Sequence, residues 1–153
     1  MIELFSRAKW EMPSETVLTP IHIDDSVSSL SAILLDDAYY ELLLKERDLI
    51  KGISVLKPSA LIAFKVKAWL DLQQKQAQGM HVDSRDIKKH RNDILGIVSL
   101  MPLAPCNLPE KVRNDMEDFL QKLQVTKEEL KNLHLEVIQE DDVIRLLKGT
   151  FGL

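Results

Sequence analysis

The sequence predicts an α+β protein, in which a small partial mixed sheet in the amino-terminal third packs against a carboxy-terminal helical bundle. Two observations predict this division. Residues 1–56 contain short apolar or alternating segments typical of strands. Residues 57–153 contain apolar residues at spacings of three and four, between residues that begin and end helices. We therefore expect one domain, 1–153, with a strand-rich part and then a helical part.

Three segments of the first part are predicted to be strands. Residues 2–6 alternate apolar and polar side chains, as a strand with one buried face does. Residues 16–23, TVLTPIHI, are extended, and Pro20 indicates an edge strand or a bulge because proline has no N–H to donate. Residues 52–56, GISVL, form the last strand, just before Pro58.

The segment 28–35, SSLSAILL, allows two interpretations. It is either a strand that ends at Asp36 and Asp37, followed by a helix from Asp37 through Glu46, or part of one longer helix. We favour the strand because two acidic residues make a good helix start.

The helix that begins at Pro58 carries charges among apolar residues. Proline suits the first turn of a helix. Between residues 61 and 72 apolar side chains cover most of the circumference, so this helix should be largely buried. Lys65, Lys67 and Asp71 lie among them. Because an unpaired buried charge costs several kcal/mol, these side chains need partners on the next helix or a path to water.

Asp83 is predicted to cap the following helix, with Asp86 as its capping-box-like partner. The side chains that recur on one face of that helix are Ile87, Arg91, Ile94, Val98 and Met101. Pro102 and Pro105 are predicted to end it.

Three more helices complete the predicted bundle. Pro109 opens the first, whose apolar stripe consists of Val112, Met116, Phe119, Leu120 and Leu123. Thr126 and Glu129 form a capping box for the second. Residues 141–148 form a short amphipathic helix that Gly149 is expected to stop.

The composition indicates an ordinary cytoplasmic protein. Of its 153 residues, 45% are hydrophobic and 29% charged, which excludes a disordered chain. No apolar run approaches the length of a membrane span, and the first residues lack a secretory signal. Cys106 is the only cysteine, so no internal disulfide can form. The net charge of -4 argues against a protein that binds nucleic acid over its whole surface.

Five basic side chains occur together after Asp83: Arg85, Lys88, Lys89, His90 and Arg91. Lys65 and Lys67 can join them if the two helices pack together. Such a cluster can bind a phosphate, a triphosphate or an RNA backbone. Alternatively, the cluster is an ordinary solvent-exposed helix face whose positive charges are balanced by Asp83, Asp86 and Asp93.

The stretch 61–97, LIAFKVKAWLDLQQKQAQGMHVDSRDIKKHRNDILGI, carries a family resemblance. It follows a short strand and a Pro-Ser helix start, contains Lys65 within an apolar helix, and includes the run KKHRND, which ends at Asp93. In this order the features resemble the carboxy-terminal helical part of the nucleotidyltransferase-like proteins of the AbiEii abortive-infection and toxin family. Lys89 and His90 depart from the Arg-Asp pair of that family, whereas Asp93 matches. The resemblance covers roughly the first two thirds of the chain.

The resemblance implies transfer of a nucleotidyl group from an NTP to an RNA or protein acceptor, with Mg²⁺ as the metal. It implies that Lys65 and Asp93 are catalytic residues near the triphosphate, and that Glu3 is the third metal carboxylate. The phosphate-binding candidates beside them are Lys67, Lys89, His90 and Arg91. The expected partners are a nucleotide or RNA, and a cognate antitoxin or another protein.

The first metal-binding half of such an enzyme is missing from the sequence. Proteins of this group carry a Gly-Ser pair followed about ten residues on by Asp-x-Asp, and with a third carboxylate these residues hold two divalent metals. This chain has neither motif, and its adjacent pairs Asp24-Asp25 and Asp36-Asp37 would point to opposite faces of a strand. We therefore expect activity only if that half is supplied, and expect that Met1 is not the natural start.

Two other functions stay open. The chain is alternatively a non-enzymatic protein-interaction domain that binds a partner through exposed helices. It is also alternatively a small RNA- or phosphate-binding domain that uses the basic patch 85–91.

Overall fold

The structure, a computed structural model, describes the backbone of residues 3–7 and 31–153 and the side chains from residue 36 onward. The elements in chain order are β1 (Glu3–Arg7), β2 (Ser31–Leu35), α1 (Asp37–Lys45), β3 (Arg47–Ile50), β4 (Ile53–Leu56), α2 (Pro58–Ala77), α3 (Ser84–Leu100), α4 (Glu110–Lys122), α5 (Lys127–Asn132) and α6 (Glu140–Phe151). The α+β class is confirmed. All described strands lie before residue 57, and five of the six described helices lie after it.

The described strands form two separate pairs rather than one mixed sheet. β1 and β2 are parallel, with Glu3 opposite Ser31 and Arg7 opposite Leu35. β3 and β4 are antiparallel, and Lys51 and Gly52 connect them. The predicted extended segment 16–23 lies outside the described residues.

The start of α1 decides between the two interpretations of residues 28–35. β2 ends at Leu35, and an oxygen of the Asp36 side chain accepts a hydrogen bond from the Tyr39 amide at 3.1 Å. This cap begins a new helix, so the strand interpretation is confirmed for residues 31–35 and the single longer helix is wrong. Residues 28–30 lie outside the described part of the chain. α1 ends at Lys45 and β3 follows directly. The strand pattern of β3 is not recognisable in the sequence, because its four residues include two charges and show no clear alternation.

α2 is the central helix of the bundle. Pro58 lies in its first turn, as predicted. Between residues 58 and 73 every side chain is buried or half-buried, which confirms that most of the circumference is covered. Its most extensive contact is with α3, and it also packs against α4 and α1.

The predicted starts of the later helices agree with the structure. Asp83 caps α3, although its carboxylate accepts from the Arg85 amide at 2.9 Å rather than pairing with Asp86. α4 begins directly after Pro109. The capping box of Thr126 and Glu129 at the start of α5 is confirmed.

The predicted end of α6 is wrong. The helix continues through Gly149 to Phe151, and Gly152 ends it with a φ of 64°. Gly152 adopts the left-handed conformation that glycine reaches without steric cost. The extra turn places Thr150 and Phe151 in buried positions, so tertiary burial rather than the first glycine sets the end of the helix.

One hydrophobic cluster receives side chains from all six described helices. Its largest fully buried side chains include Tyr39, Phe119 and Phe151. Trp69 on α2 meets Phe119 on α4 edge to face, with ring centroids 5.2 Å apart. Among the described helices, none has both the length and the apolar character needed to cross a bilayer.

Candidate phosphate-binding site

Lys65 and Asp93 form an ion pair between α2 and α3. The Lys65 Nζ lies 2.9 Å from Asp93 Oδ2. The side chains are 22% and 35% exposed, so the pair lies at the border of the helix–helix contact and keeps one side open to water. The two residues for which the resemblance implies a catalytic role are therefore in direct contact.

His90 lies beside this pair, one turn of α3 before Asp93. Its Nδ1 is buried and has no hydrogen-bond partner among the described residues. Burial, followed by the positive charge of Lys65, lowers the pKa of His90 below its ordinary value of 6.5. The imidazole is consequently neutral near pH 7 and contributes a polar ring rather than a second cation.

Arg91 points to a different part of the molecule, where it joins α3 to α5. Its guanidinium donates to both carboxylate oxygens of Glu129, at 2.7 and 2.8 Å, and also to the Gln124 carbonyl. The hydrogen bonds from Arg91 hold the pKa of Glu129 below its ordinary value. Glu129 and Gln124 therefore occupy the N–H groups of the guanidinium that a phosphate would need.

Lys67 also lies apart from Lys65, because two residues along a helix differ in direction by more than half a turn. Its Nζ lies 3.1 Å from Asp71 and 3.6 Å from Asp115, and 5.9 Å from the centre of the Tyr39 ring. Burial by itself lowers the pKa of Lys67, but Asp71 and Asp115 raise it above its ordinary value. The Tyr39 hydroxyl donates to Asp115 at 2.9 Å, so these side chains form a network between α1, α2 and α4.

The remaining predicted site residues are Lys89 and Glu3. Lys89 is exposed on α3, and its positive charge contributes to the lowered pKa of the neighbouring His90. Glu3 lies in β1, where its backbone is opposite Ser31, and its side chain is outside the described part of the chain. Among the described residues, no group of three histidine, cysteine, aspartate or glutamate side chains is arranged to hold a metal ion. Because the Glu3 side chain lies outside the described part of the chain, the Mg²⁺ site stays a prediction.

An open cavity of about 380 Å³ lies on the neighbouring side of α3. Its walls include Trp69, Gln73, Lys88, Arg91 and Glu129. The Lys65–Asp93 pair does not line this cavity and lies instead at the border of the α2–α3 contact.

Two acidic partners were not identified from the sequence. Glu129 was assigned only its capping role, and Asp115 was not singled out at all. Both lie far along the chain from the cations they bind, and no local spacing rule connects Arg91 with Glu129 or Lys67 with Asp115. The sequence signalled only that Lys67, which lies among apolar residues, needs a partner or a path to water.

No known protein family, curated protein or solved structure matches the chain.

Proposed function

We propose that this chain is a nucleotidyltransferase-like domain in which Lys65 contacts the phosphates of a bound nucleotide. The supporting observation is the Lys65–Asp93 pair, which combines a partly exposed ammonium with a carboxylate that orients it. A lysine ammonium binds phosphate as a compact point charge and needs such an orienting partner to hold one position.

The geometry divides the predicted catalytic residue Lys65 and the four predicted phosphate-binding residues into two groups. Lys65, His90 and Lys89 lie on neighbouring faces of α2 and α3, where a phosphate can reach them from water. Lys67 and Arg91 are each engaged by carboxylates elsewhere, and we propose that they stabilise the bundle.

Nucleotidyl transfer would require the metal-binding carboxylates that this chain lacks, namely those of an Asp-x-Asp motif. We expect this chain by itself to bind an NTP and to transfer nothing. An in-frame coding segment upstream of Met1 that encodes Gly-Ser and Asp-x-Asp would supply the missing half, and sequencing of the transcript on both sides of the reading frame tests this. If the longer product exists, we expect it to transfer a labelled nucleotide to RNA or protein in the presence of Mg²⁺.

Binding is tested by calorimetric titration of this chain with each of the four NTPs and Mg²⁺. Replacing Lys65 by methionine keeps most of the side-chain volume but removes one charge-assisted contact, so affinity should fall by about tenfold or more. Asp93→Asn should weaken binding less, because the ammonium stays but loses its orienting charge.

The matched control is Lys111→Met, because Lys111 pairs with Asp36 at 2.8 Å between α4 and the start of α1. It removes a similar ion pair and should leave NTP affinity unchanged. Equal affinity in the wild type and in Lys65→Met, or no NTP binding by the wild type, would refute the proposal.

An RNA backbone is a second candidate ligand for the same surface. Lys88 and Lys89 are exposed in the first turns of α3. Lys89 adjoins His90, which lies beside Lys65, and Lys88 lines the neighbouring cavity. RNA binding through phosphate contacts should weaken steeply as salt rises, whereas a flat salt response would exclude it.

A further inference from the structure

The hairpin formed by β3 and β4, called here the 47–56 hairpin, projects from the bundle. Lys51 and Gly52 connect the strands with φ values of 50° and 82°, and a two-residue turn with positive φ at both positions suits the twist of paired strands. Every residue from 47 to 55 is exposed. The hairpin is therefore a well-formed local structure that the described part of the chain leaves uncovered.

The exposed side chains are unusually apolar. Leu49 is 75% exposed, Ile53 68%, Ile50 54% and Val55 41%. The register places Ile50 opposite Ile53 and Asp48 opposite Val55, so three of these four apolar side chains share one face. A lone two-stranded hairpin is marginally stable in water, and one with an uncovered apolar face needs a covering partner.

No described strand other than β3 pairs with β4, so the outer edge of β4 offers backbone groups for pairing. The Lys57 amide donates to the Glu46 carbonyl at 2.9 Å, which makes these two a hydrogen-bonded pair. Because such pairs alternate along an antiparallel ladder, Ser54 and Leu56 direct their N–H and C=O groups away from β3. β4 contains no charged residue or proline, the features that usually protect an edge strand, whereas β3 carries Arg47 and Asp48.

The charge around the hairpin indicates the chemistry of its partner. Residues 45–57 contain four basic and two acidic residues, a net charge of +2 (4 − 2), although the whole chain carries -4. One of the two acids, Glu46, already pairs with Lys57 at 3.4 Å. The hairpin therefore presents apolar side chains within a locally positive surface, which is complementary to an acidic segment.

We propose that the 47–56 hairpin binds an extended segment of another protein, in which apolar and acidic residues alternate, as a third strand along β4. The partner's backbone bonds to Ser54 and Leu56, and its apolar side chains cover Ile53 and Val55 on the shared face. Its acidic side chains extend toward the surrounding basic residues. This inference does not rest on nucleotide binding by Lys65.

The test uses a short fluorescein-labelled peptide that alternates valine with glutamate, measured by fluorescence anisotropy. A second peptide alternates valine with lysine and has the same length. We expect the glutamate peptide to bind and the lysine peptide to bind at least about tenfold more weakly. Equal binding of both peptides, or no binding of either, would overturn the proposal.

Two matched proline variants locate the docking edge. Ser54→Pro removes an N–H that points outward from β4 and leaves the β3–β4 ladder intact, and Leu49→Pro does the same on the β3 edge. We expect Ser54→Pro to weaken peptide binding by about tenfold and Leu49→Pro to leave it unchanged. The reverse result would overturn the assignment of the edge.

Amide hydrogen exchange of the free and peptide-bound chain provides a readout that does not depend on affinity. The amides of Ser54 and Leu56 should exchange rapidly in the free monomer and slowly with the glutamate peptide. Slow exchange in the free monomer would mean that the chain covers its own edge. A dimer in sedimentation equilibrium that Ser54→Pro converts to a monomer would mean that a second copy is the occupant. Either result overturns the proposal.

Discussion

Replacing Arg91 by methionine tests whether this residue stabilises the bundle or is free to bind a phosphate. Its side chain is only 17% exposed and donates to both carboxylate oxygens of Glu129 and to the Gln124 carbonyl. Methionine keeps the apolar stem and removes these hydrogen bonds. The change therefore isolates the contribution of the guanidinium.

The expected loss in free energy of unfolding follows from how far Arg91 and Glu129 are buried. A hydrogen bond to a charged group contributes about 1.5–3 kcal/mol, and an exposed ion pair about 0–1 kcal/mol. Because Arg91 is mostly buried while the Glu129 side chain is 35% exposed, we expect a coupling free energy of about 1–2 kcal/mol between them. With the Gln124 carbonyl also losing its donor, Arg91→Met should lower the free energy of unfolding by about 2 kcal/mol and Tm by about 4–8 °C.

The assay is a double-mutant cycle of Arg91→Met and Glu129→Gln, measured by urea unfolding with far-UV circular dichroism. The matched control cycle uses Lys122→Met and Asp118→Asn, a pair on one helix face in which both side chains are about half exposed. Its coupling should be about 0–0.5 kcal/mol. A coupling between Arg91 and Glu129 no larger than the control would refute the structural role and return Arg91 to the phosphate-binding candidates.

The same pair predicts a dependence on pH. The pKa of Glu129 is held below its ordinary value of 4.5, so the stabilisation is present above that pH and is lost as pH falls through the lower pKa of the folded state. The wild type should therefore lose more stability than Arg91→Met between about pH 5 and pH 3. Equal losses would contradict this interpretation of the pKa.

Three further predictions follow from the buried groups and the last helix. The pKa of His90 is lowered in the folded state, so the unfolded state binds the proton of this imidazole at a higher pH, and the free energy of unfolding should fall as pH drops below 6.5. His90→Asn should reduce this fall between about pH 7 and pH 5, as measured by urea unfolding. An unchanged dependence of the free energy of unfolding on pH would contradict this prediction. Burial raises the pKa of the Cys106 thiol to about 11, so iodoacetamide should label it at pH 8 only after unfolding, and rapid labelling of the native protein would contradict this. An added Cβ meets nothing within 4 Å at either Gly149 or Gly152, so the backbone conformation alone decides the effect of an alanine. Gly149→Ala should stabilise α6 by about 0.5–1 kcal/mol, because Gly149 lies inside the helix. Gly152→Ala should destabilise the end of α6 by about 1–2 kcal/mol, because Gly152 has the left-handed conformation. Thermal unfolding measures both, and two changes of the same sign would refute the assignment of the cap.

Local signals in the sequence predicted most helix starts. Asp36, Asp83 and Thr126 cap the helices for which they were predicted, and Pro58 and Pro109 mark two more starts. These predictions succeeded because a cap depends on hydrogen bonds and backbone angles within one turn of the chain. The prediction at Gly149 was wrong because the end of α6 depends on the burial of Phe151, which the rest of the bundle provides.

The candidate site was predictable in part. The sequence indicated that Lys65 needs either a partner on the next helix, where Asp93 is one of the acids, or a path to water. It also suggested that Lys67 and Arg91 belong to the same basic cluster. The structure separates them, because the direction of each side chain around its helix, and the distant carboxylates of Asp115 and Glu129, decide where each cation lies.

The sequence by itself determined the α+β class, the capped starts of the helices and the burial of α2, because these depend on local hydrogen bonding and on the periodicity of apolar residues. Only the tertiary structure decided which acid each cation meets, where α6 ends, and that the described part of the chain leaves the apolar side chains of the 47–56 hairpin uncovered. These properties depend on contacts between residues far apart in the chain. No pattern within a few residues can specify such contacts, because the chain must first fold to bring their partners together.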